Sequence, residues 1–329
     1  MAANSSGRTS MALPLRLVTF NVRYATTTPA PGEQPWRVRR PKLGAQLRFV
    51  TAGHDAAFVC LQEALYQQVL DIQSELSQGG FRVDTDGHTC GSGPGPGTDP
   101  DAWAYIGRGR DDGKLAGEFS PIFYRPRVWR CVRSAVYWLS PTPETPSRGW
   151  DAVLNRIVTV GRFEHRATGA SVVVMSTHFD HVGVQARQAS AKLILDLAAA
   201  WQQQPGGDDV APRSTATAVP VVFLGGDFNS EPDDQAYQTI TNPHGGMVDV
   251  AGLVPPARRY GNDTNTYTSF GEAGETPKRI DFLFLRDTEG GLVFRTFGVL
   301  ANRFDDGVFL SDHRAVVTDV DVPVAKDVP

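Results

Sequence analysis

The sequence predicts an α+β domain in which two packed β-sheets carry helices on their outer faces. Three observations lead there. Ten short apolar runs, rich in β-branched and aromatic residues and mostly bounded by Gly, Pro, Asn or Asp, recur along the 329 residues. Only four segments carry a helical pattern. No repeat of fixed period and no linker between two cores is present, so the strands belong to one domain despite a length that could hold two.

The expected strands run through 15–22, 56–63, 120–125, 128–139, 156–165, 171–180, 220–229, 280–285, 292–300 and 314–322. The first helix is expected over 41–53, which begins with Pro and ends at Gly, as helices prefer. Segment 65–76 places apolar residues at 65, 69, 70, 72 and 76, close to one face. Segment 184–204 is the longest and is rich in helix formers. A short helix should follow Pro232. Residues 1–13 read as a disordered leader ahead of a domain over 14–325, and 85–101 and 204–220 as Gly/Pro/Ser/Thr-rich surface insertions.

Bulk properties narrow the function. The formal net charge of −4 lacks the basic footprint by which a protein displaces counterions from long duplex DNA. No stretch approaches the roughly 20 apolar residues of a membrane span. The N-terminus has no signal-peptide apolar core, so a cytoplasmic protein is expected. Three cysteines, Cys60, Cys90 and Cys131, fit neither a metal motif nor a disulfide framework, and Cys60 reads as a buried small hydrophobe. With no sign of an obligate interface, a monomer is the default.

The chemistry lies where apolar runs end. Asn21, Glu63, His178, Asp180, Asp227 and Asn229 close strands; Asp281, Asp312 and His313 open them. Antiparallel neighbours would bring such ends to one edge of the sheets. Each residue alone reads as a turn or cap residue. The joint pattern of acid, amide and imidazole, without a hydroxyl or thiol nucleophile, suits phosphoester hydrolysis. Glu63 and Asp312, with the Asn21 amide, are hard ligands matching Mg²⁺ or Mn²⁺. A water needs a base, such as an Asp-oriented His. Asn229 and His178 could hold nonbridging oxygens.

The motifs "VTFNVRY", "VCLQEAL", "STHFDH", "GGDFNSEP", "RIDFLFL" and "LSDHRAV" resemble, in this order, those of the endonuclease/exonuclease/phosphatase superfamily with its deoxyribonuclease-I-like fold. The resemblance spans about residues 15–322. It implies a four-layer α/β sandwich with two central, mostly antiparallel sheets, and a Mg²⁺- or Mn²⁺-dependent hydrolase. By resemblance, Asn21 and Glu63 are the metal-site amide and acid, and Asp312 is a further metal-site acid. His313 is the catalytic histidine, oriented by Asp281. Asp227 and Asn229 position the attacking water and touch the phosphate, and His178 is the second phosphate-binding histidine. His313 with Asp281 is preferred as base, and Asp227 is the rival. The segment "GRGRDDGKLAGEFSPIFYR" followed by "WLSPTPETPSRGWDAVLNRIVT" is similar to a subgroup of microbial and fungal hydrolases of undefined substrate. In it Glu118, Tyr124, Asn155 and Arg156 match pocket-lining positions, although Arg156 could equally be a solvated strand-edge residue.

The expected substrate is a phosphodiester or phosphomonoester on a small molecule or short nucleic acid. Two alternatives stay open: a nuclease or deadenylase acting on single strands, and a non-catalytic binding protein that keeps the fold.

Overall fold

The computed structural model describes residues 12–77, 82–83, 89–90, 102–203, 219–261 and 265–324. Fifteen strands follow in order: β1 (Ala12–Asn21), β2 (Phe58–Gln62), β3 (Arg82–Val83), β4 (Thr89–Cys90), β5 (Ala104–Ile106), β6 (Ile122–Tyr124), β7 (Trp129–Trp138), β8 (Ile157–His165), β9 (Ser171–His178), β10 (Val221–Asp227), β11 (Val248–Asp249), β12 (Arg259–Gly261), β13 (Asp281–Arg286), β14 (Val293–Val299) and β15 (Val316–Pro323). The helices are α1 (Trp36–Thr51), α2 (Tyr66–Leu76), α3 (Val184–Gln203) and α4 (Gln235–Ile240).

Seven strands form one sheet in the order β12-β14-β15-β1-β2-β6-β5, and six form the other, β11-β13-β10-β9-β8-β7. Leu15, Leu17, Phe58, Cys60, Val174, Phe223 and Leu283 fill the space between the sheets. The opposite faces of the same strands bury Val18, Phe20, Val59 and Leu61 with Leu43 and Leu47 of α1 and Val69 and Ile72 of α2. On the other side Val173, Met175, Val222 and Leu224 pack with Ala191, Ile194 and Trp201 of α3. Both faces of the central strands are thus covered, which explains their near-continuous apolar runs. The result is the expected helix–sheet–sheet–helix sandwich.

Pairing departs from the expected scheme where it matters most. β1 and β2 run parallel, with Asn21 beside Gln62, and β9 and β10 run parallel, with His178 beside Asp227. Antiparallel pairing alone would not have gathered these C-terminal ends; two parallel pairs at the centres of facing sheets do. The antiparallel partner β13 then sets Asp281 opposite Asp227.

Element boundaries shift elsewhere for identifiable reasons. β1 begins at Ala12 rather than near 15, because Leu13 already pairs with Val322 and is buried. The start of the domain moves forward with it, and the expected leader otherwise lies outside the described residues. α1 begins five residues ahead of Pro41, with Pro35 in the capping position and buried Arg39 in its second turn. The final strand starts at Val316, not Arg314. Strands β5, β11 and β12 are two or three residues long, too short for an alternation signal. The insertions expected at 85–101 and 204–220 lie largely outside the described residues, although Thr89–Cys90 pairs with Arg82–Val83.

The "GGD" of β10 is dictated by neighbours. A Cβ on Gly225 would stand 3.0 Å from the Thr19 Cβ and 3.3 Å from the Cys60 Cβ across the sheet interface. One on Gly226 would stand 2.5 Å from the Thr177 carbonyl oxygen. Gly226→Ala must therefore push β10 from β9, costing on the order of 1–3 kcal/mol by overpacking. Urea unfolding should show a lowered midpoint, whereas an unchanged midpoint would contradict this packing.

Candidate active site

One cavity of about 1060 Å³ opens at the edge where β1, β2, β9 and β10 end. Its wall includes Glu63, Glu118, Arg156, His178, Asp227, Asn229, Asp312 and His313. Asn21 and Asp281 stand directly behind them, almost fully buried.

The loops that present these side chains are strained and stapled. Arg23, Glu63 and Asn229 have φ of 56°, 61° and 45°, a left-handed region that costs non-glycine residues energy. Such conformations persist where the surroundings overdetermine them. Fully buried Arg39 donates to the carbonyls of Val22 and Leu310 at 2.9 and 2.8 Å, joining the end of β1 to the loop before β15. Gln68 accepts from Ala25 N at 2.8 Å and donates to the Arg23 carbonyl at 3.0 Å. Ser311 Oγ donates to the Asn21 carbonyl at 2.7 Å, and His313 bridges to Tyr267.

The centre is a hydrogen-bonded chain. His313 Nδ1 lies 2.9 Å from Asp281 Oδ2, and its Nε2 faces Asp227 Oδ2 at 3.7 Å. The Asn21 amide donates to Asp227 Oδ2 at 3.0 Å and to Glu63 Oε1 at 2.9 Å, while its oxygen accepts from Arg23 N. Asn21 thus aligns two acids rather than offering its oxygen to the cavity. Asn229 Nδ2 lies 3.1 Å from His178 Nε2 and 3.0 Å from the Phe179 carbonyl. Both amide hydrogens are engaged, so its Oδ1 is the atom left to face a ligand, not the donor expected from the sequence.

Charge sets the protonation states. Burial, with the neighbouring Asp281 carboxylate, pushes Asp227 up to about 7. Burial opposes charge on His313, but Asp281 and Asp227 outweigh it and carry the imidazole well above its usual range. Burial, reinforced by Arg156 and Arg110, holds His178 well below it, so His178 is neutral. Burial and then the Glu63 charge raise Glu118 to about 7, against the pull of Arg110 and Arg156.

Cation ligands divide by chemistry. Ligand atoms of Glu63, His178 and Asp227 lie within 4.8 Å of one another, as do those of Asp227, Asp281 and His313. The second group is already an internal hydrogen-bonded pair with an acid opposite. Glu63 and Asp312 present carboxylates to the cavity, and burial followed by Glu63 itself raises Asp312 after His313 has pulled it down. Glu63 is held below its usual range: burial opposes its charge, but the Asn21 amide, His313 and Arg23 outweigh it. An ionised Glu63 beside a buried Asp312 that it raises fits a hard divalent cation, which would relieve the repulsion.

Other expected residues are distributed differently. Arg156 is 4% exposed, not a solvated edge residue, and pairs with Asp180 at 3.5 Å and Glu118 at 3.9 Å. Tyr124 is not in the cavity. It stands opposite the start of β2, at the far edge of the sheet, with its ring on Phe163, because β6 runs antiparallel to β2. Asn155 sits behind the wall and reaches the Arg110 carbonyl at 3.4 Å. Asp180 turns away from the cavity and accepts from the backbone of Val153, Leu154, Val182 and Gly183. Sequence reading missed Arg110, 2.5 Å from Glu118, and Arg23, His181, Tyr267 and Lys278 on the wall. Arg110 is masked by the surface-like stretch "GRGRDDGK", and His181 by its place next to a conspicuous Asp.

The family model described as Endonuclease/Exonuclease/phosphatase family matches residues 18–313. A solved endonuclease/exonuclease/phosphatase from Bacteroides vulgatus is 29% identical, with a TM-score of 0.72 over 94% of this chain and 99% of that one. A mannosyl-6-phosphatase from Bacteroides thetaiotaomicron is 27% identical, with a TM-score of 0.72 over 93% and 99%. D. rerio TDP2 complexed with single-strand DNA product shares the fold at 16% identity, with a TM-score of 0.62 over 93% and 98%. No curated protein matches the chain. Among the described residues no helix is long and apolar enough to cross a membrane.

Proposed function

The chain belongs to the endonuclease/exonuclease/phosphatase family, and from that premise we propose that it is a Mg²⁺- or Mn²⁺-dependent phosphoesterase acting on a phosphomonoester or phosphodiester with a small leaving group. The observation that carries this reading is the convergence, in one cavity, of the His313–Asp281 pair, Asp227 and the two acids Glu63 and Asp312. Glu63 and Asp312 would hold the ion, with Asn21 aligning Glu63. When bound, the ion supplies positive charge that polarises a phosphoryl oxygen.

The remaining work falls to the chain's own groups. An acid near neutrality is well suited to take a proton at the working pH, which favours Asp227 over His313 as base. Asn229 Oδ1 can accept from the water that Asp227 deprotonates. His313, held as imidazolium by Asp281, offers Nε2–H to a nonbridging oxygen as charge builds in the transition state. This reverses the preference drawn from sequence, because the two carboxylates around His313 stabilise its charged form.

A pH consequence follows. Asp227 must lose its proton to act, so kcat/KM should fall as pH drops through the pKa of Asp227. Burial and Asp281 set that value at about 7, and a bound cation lowers it. The acid limb of the Mg²⁺-loaded enzyme should thus lie below neutrality, and Asp227→Asn should remove activity at every pH. A variant with a wild-type profile would transfer the base role back to His313.

The mannosyl-6-phosphatase likeness over nearly the whole chain supports a sugar phosphate as the first substrate class to test. Glu231, Asp234 and Glu275 on the cavity wall disfavour a polyanionic strand. Incubation with hexose 6-phosphates, bis(p-nitrophenyl) phosphate and single-stranded RNA discriminates. Phosphate release from a hexose 6-phosphate or p-nitrophenol release from the diester supports the reading; cleavage of RNA alone would replace it with a nuclease.

A further inference from the structure

We propose that His181 is a specificity-determining residue, locked as a neutral Nε2–H donor that hydrogen-bonds an oxygen of the substrate's hydroxylated leaving group. The assignment rests on the phosphoesterase reading and names which part of the substrate this side of the cavity recognises.

Arg156 Nη2 lies 3.0 Å from His181 Nδ1. A guanidinium has donors only, so Nδ1 must be the acceptor. The ring is then uncharged and carries its hydrogen on Nε2, since an imidazolium would set donor against donor. Burial and the Arg156 charge both lower the affinity of His181 for a second proton, in agreement. Arg156 cannot turn aside: it is buried and held by Asp180 and Glu118.

The backbone beneath is equally fixed. Asp180 accepts from Val153 and Leu154 on one loop and Val182 and Gly183 on the next. Asp151 ties the first loop to α3 through Ala186 N at 2.6 Å. Preorganised donors of this kind give orientation at little entropic cost.

Depth separates this group from the reacting centre. Asp227, His313 and His178 are 1%, 4% and 7% exposed, so the phosphoryl end must enter deep. His181 is solvent-exposed on the same cavity, beside Leu154 at 37%. The part of the substrate that passes His181 is therefore the leaving group. A neutral N–H prefers a hydroxyl, ether or carbonyl oxygen to an anion that needs charge. Glu231 and Asp234 on the same wall can accept from hydroxyls, completing the set of partners for a polyol.

The test compares wild type, His181→Ala and His181→Gln on mannose 6-phosphate and on p-nitrophenyl phosphate, which has no hydroxyl on its leaving group. Loss of one neutral hydrogen bond is worth about tenfold. His181→Ala should lower kcat/KM for the sugar phosphate about tenfold more than for the aryl phosphate, and His181→Gln, which keeps an N–H, should recover part of the difference. Equal losses on both substrates would overturn the assignment. Wild type inactive on both would overturn the assignment, and inactivity on bis(p-nitrophenyl) phosphate as well would overturn the phosphoesterase reading with it. A nitrogen-15 spectrum of the histidine rings at neutral pH is an activity-free check: His181 should show a protonated Nε2 and a bare Nδ1, and the opposite tautomer would sink the proposal.

Discussion

Replacing His313 by alanine is expected to lower kcat/KM about 10³-fold or more with the fold retained, the scale seen when a general base or its equivalent is removed. The size follows from position. His313 stands between Asp281 and Asp227, bonded to the first at 2.9 Å and 3.7 Å from the second. On the proposed mechanism its removal takes away the donor to the phosphoryl group, and it leaves Asp281 without its hydrogen-bond partner. Breaking a buried pair also costs stability, on the order of 3 kcal/mol. The assay therefore belongs at a temperature where circular dichroism shows both proteins folded. Asp281→Asn should lose less, since an amide oxygen still accepts from Nδ1–H but no longer favours the imidazolium. Wild-type turnover by folded His313→Ala would remove this pair from the mechanism.

The second large effect concerns the cation. Chelation by EDTA should lower activity about 10³-fold, because a cation contributes several kcal/mol of charge stabilisation. Mg²⁺ or Mn²⁺ should restore it. Glu63→Gln keeps the shape of the side chain and its bond to Asn21 while removing the charge. It should raise the Mg²⁺ concentration needed for half-maximal rate by at least about tenfold. Titration of the rate against Mg²⁺ measures this directly. Undiminished turnover in EDTA would contradict the site.

Most of the fold was legible because the central strands are covered on both faces, and near-continuous apolar runs mark them. The site was legible because its side chains sit where those runs stop. The pairing was not legible. Nothing in "VTFNV" or "VVFLGGD" distinguishes a parallel from an antiparallel neighbour, yet parallel pairing is what sets Asn21 beside Gln62 and His178 beside Asp227. Residue type alone also leaves open which atoms are free, and hydrogen bonds decide it. Asn21 and Asn229 have their amide hydrogens committed inside the protein. Tyr124 matched a motif position but lies at the wrong end of its strand. Arg110, Arg156 and His181 reach the cavity wall through contacts that the sequence does not announce, linking residues 110, 118, 156 and 181.

The most direct measurement is phosphate release from mannose 6-phosphate and p-nitrophenol release from bis(p-nitrophenyl) phosphate, with Mg²⁺, with Mn²⁺ and with EDTA, by wild type and His313→Ala side by side. Metal-dependent turnover of at least one ester, lost in EDTA and in the variant, is the predicted result. Hydrolysis that persists in EDTA or in His313→Ala, or an absence of turnover on both esters under every metal, would contradict it.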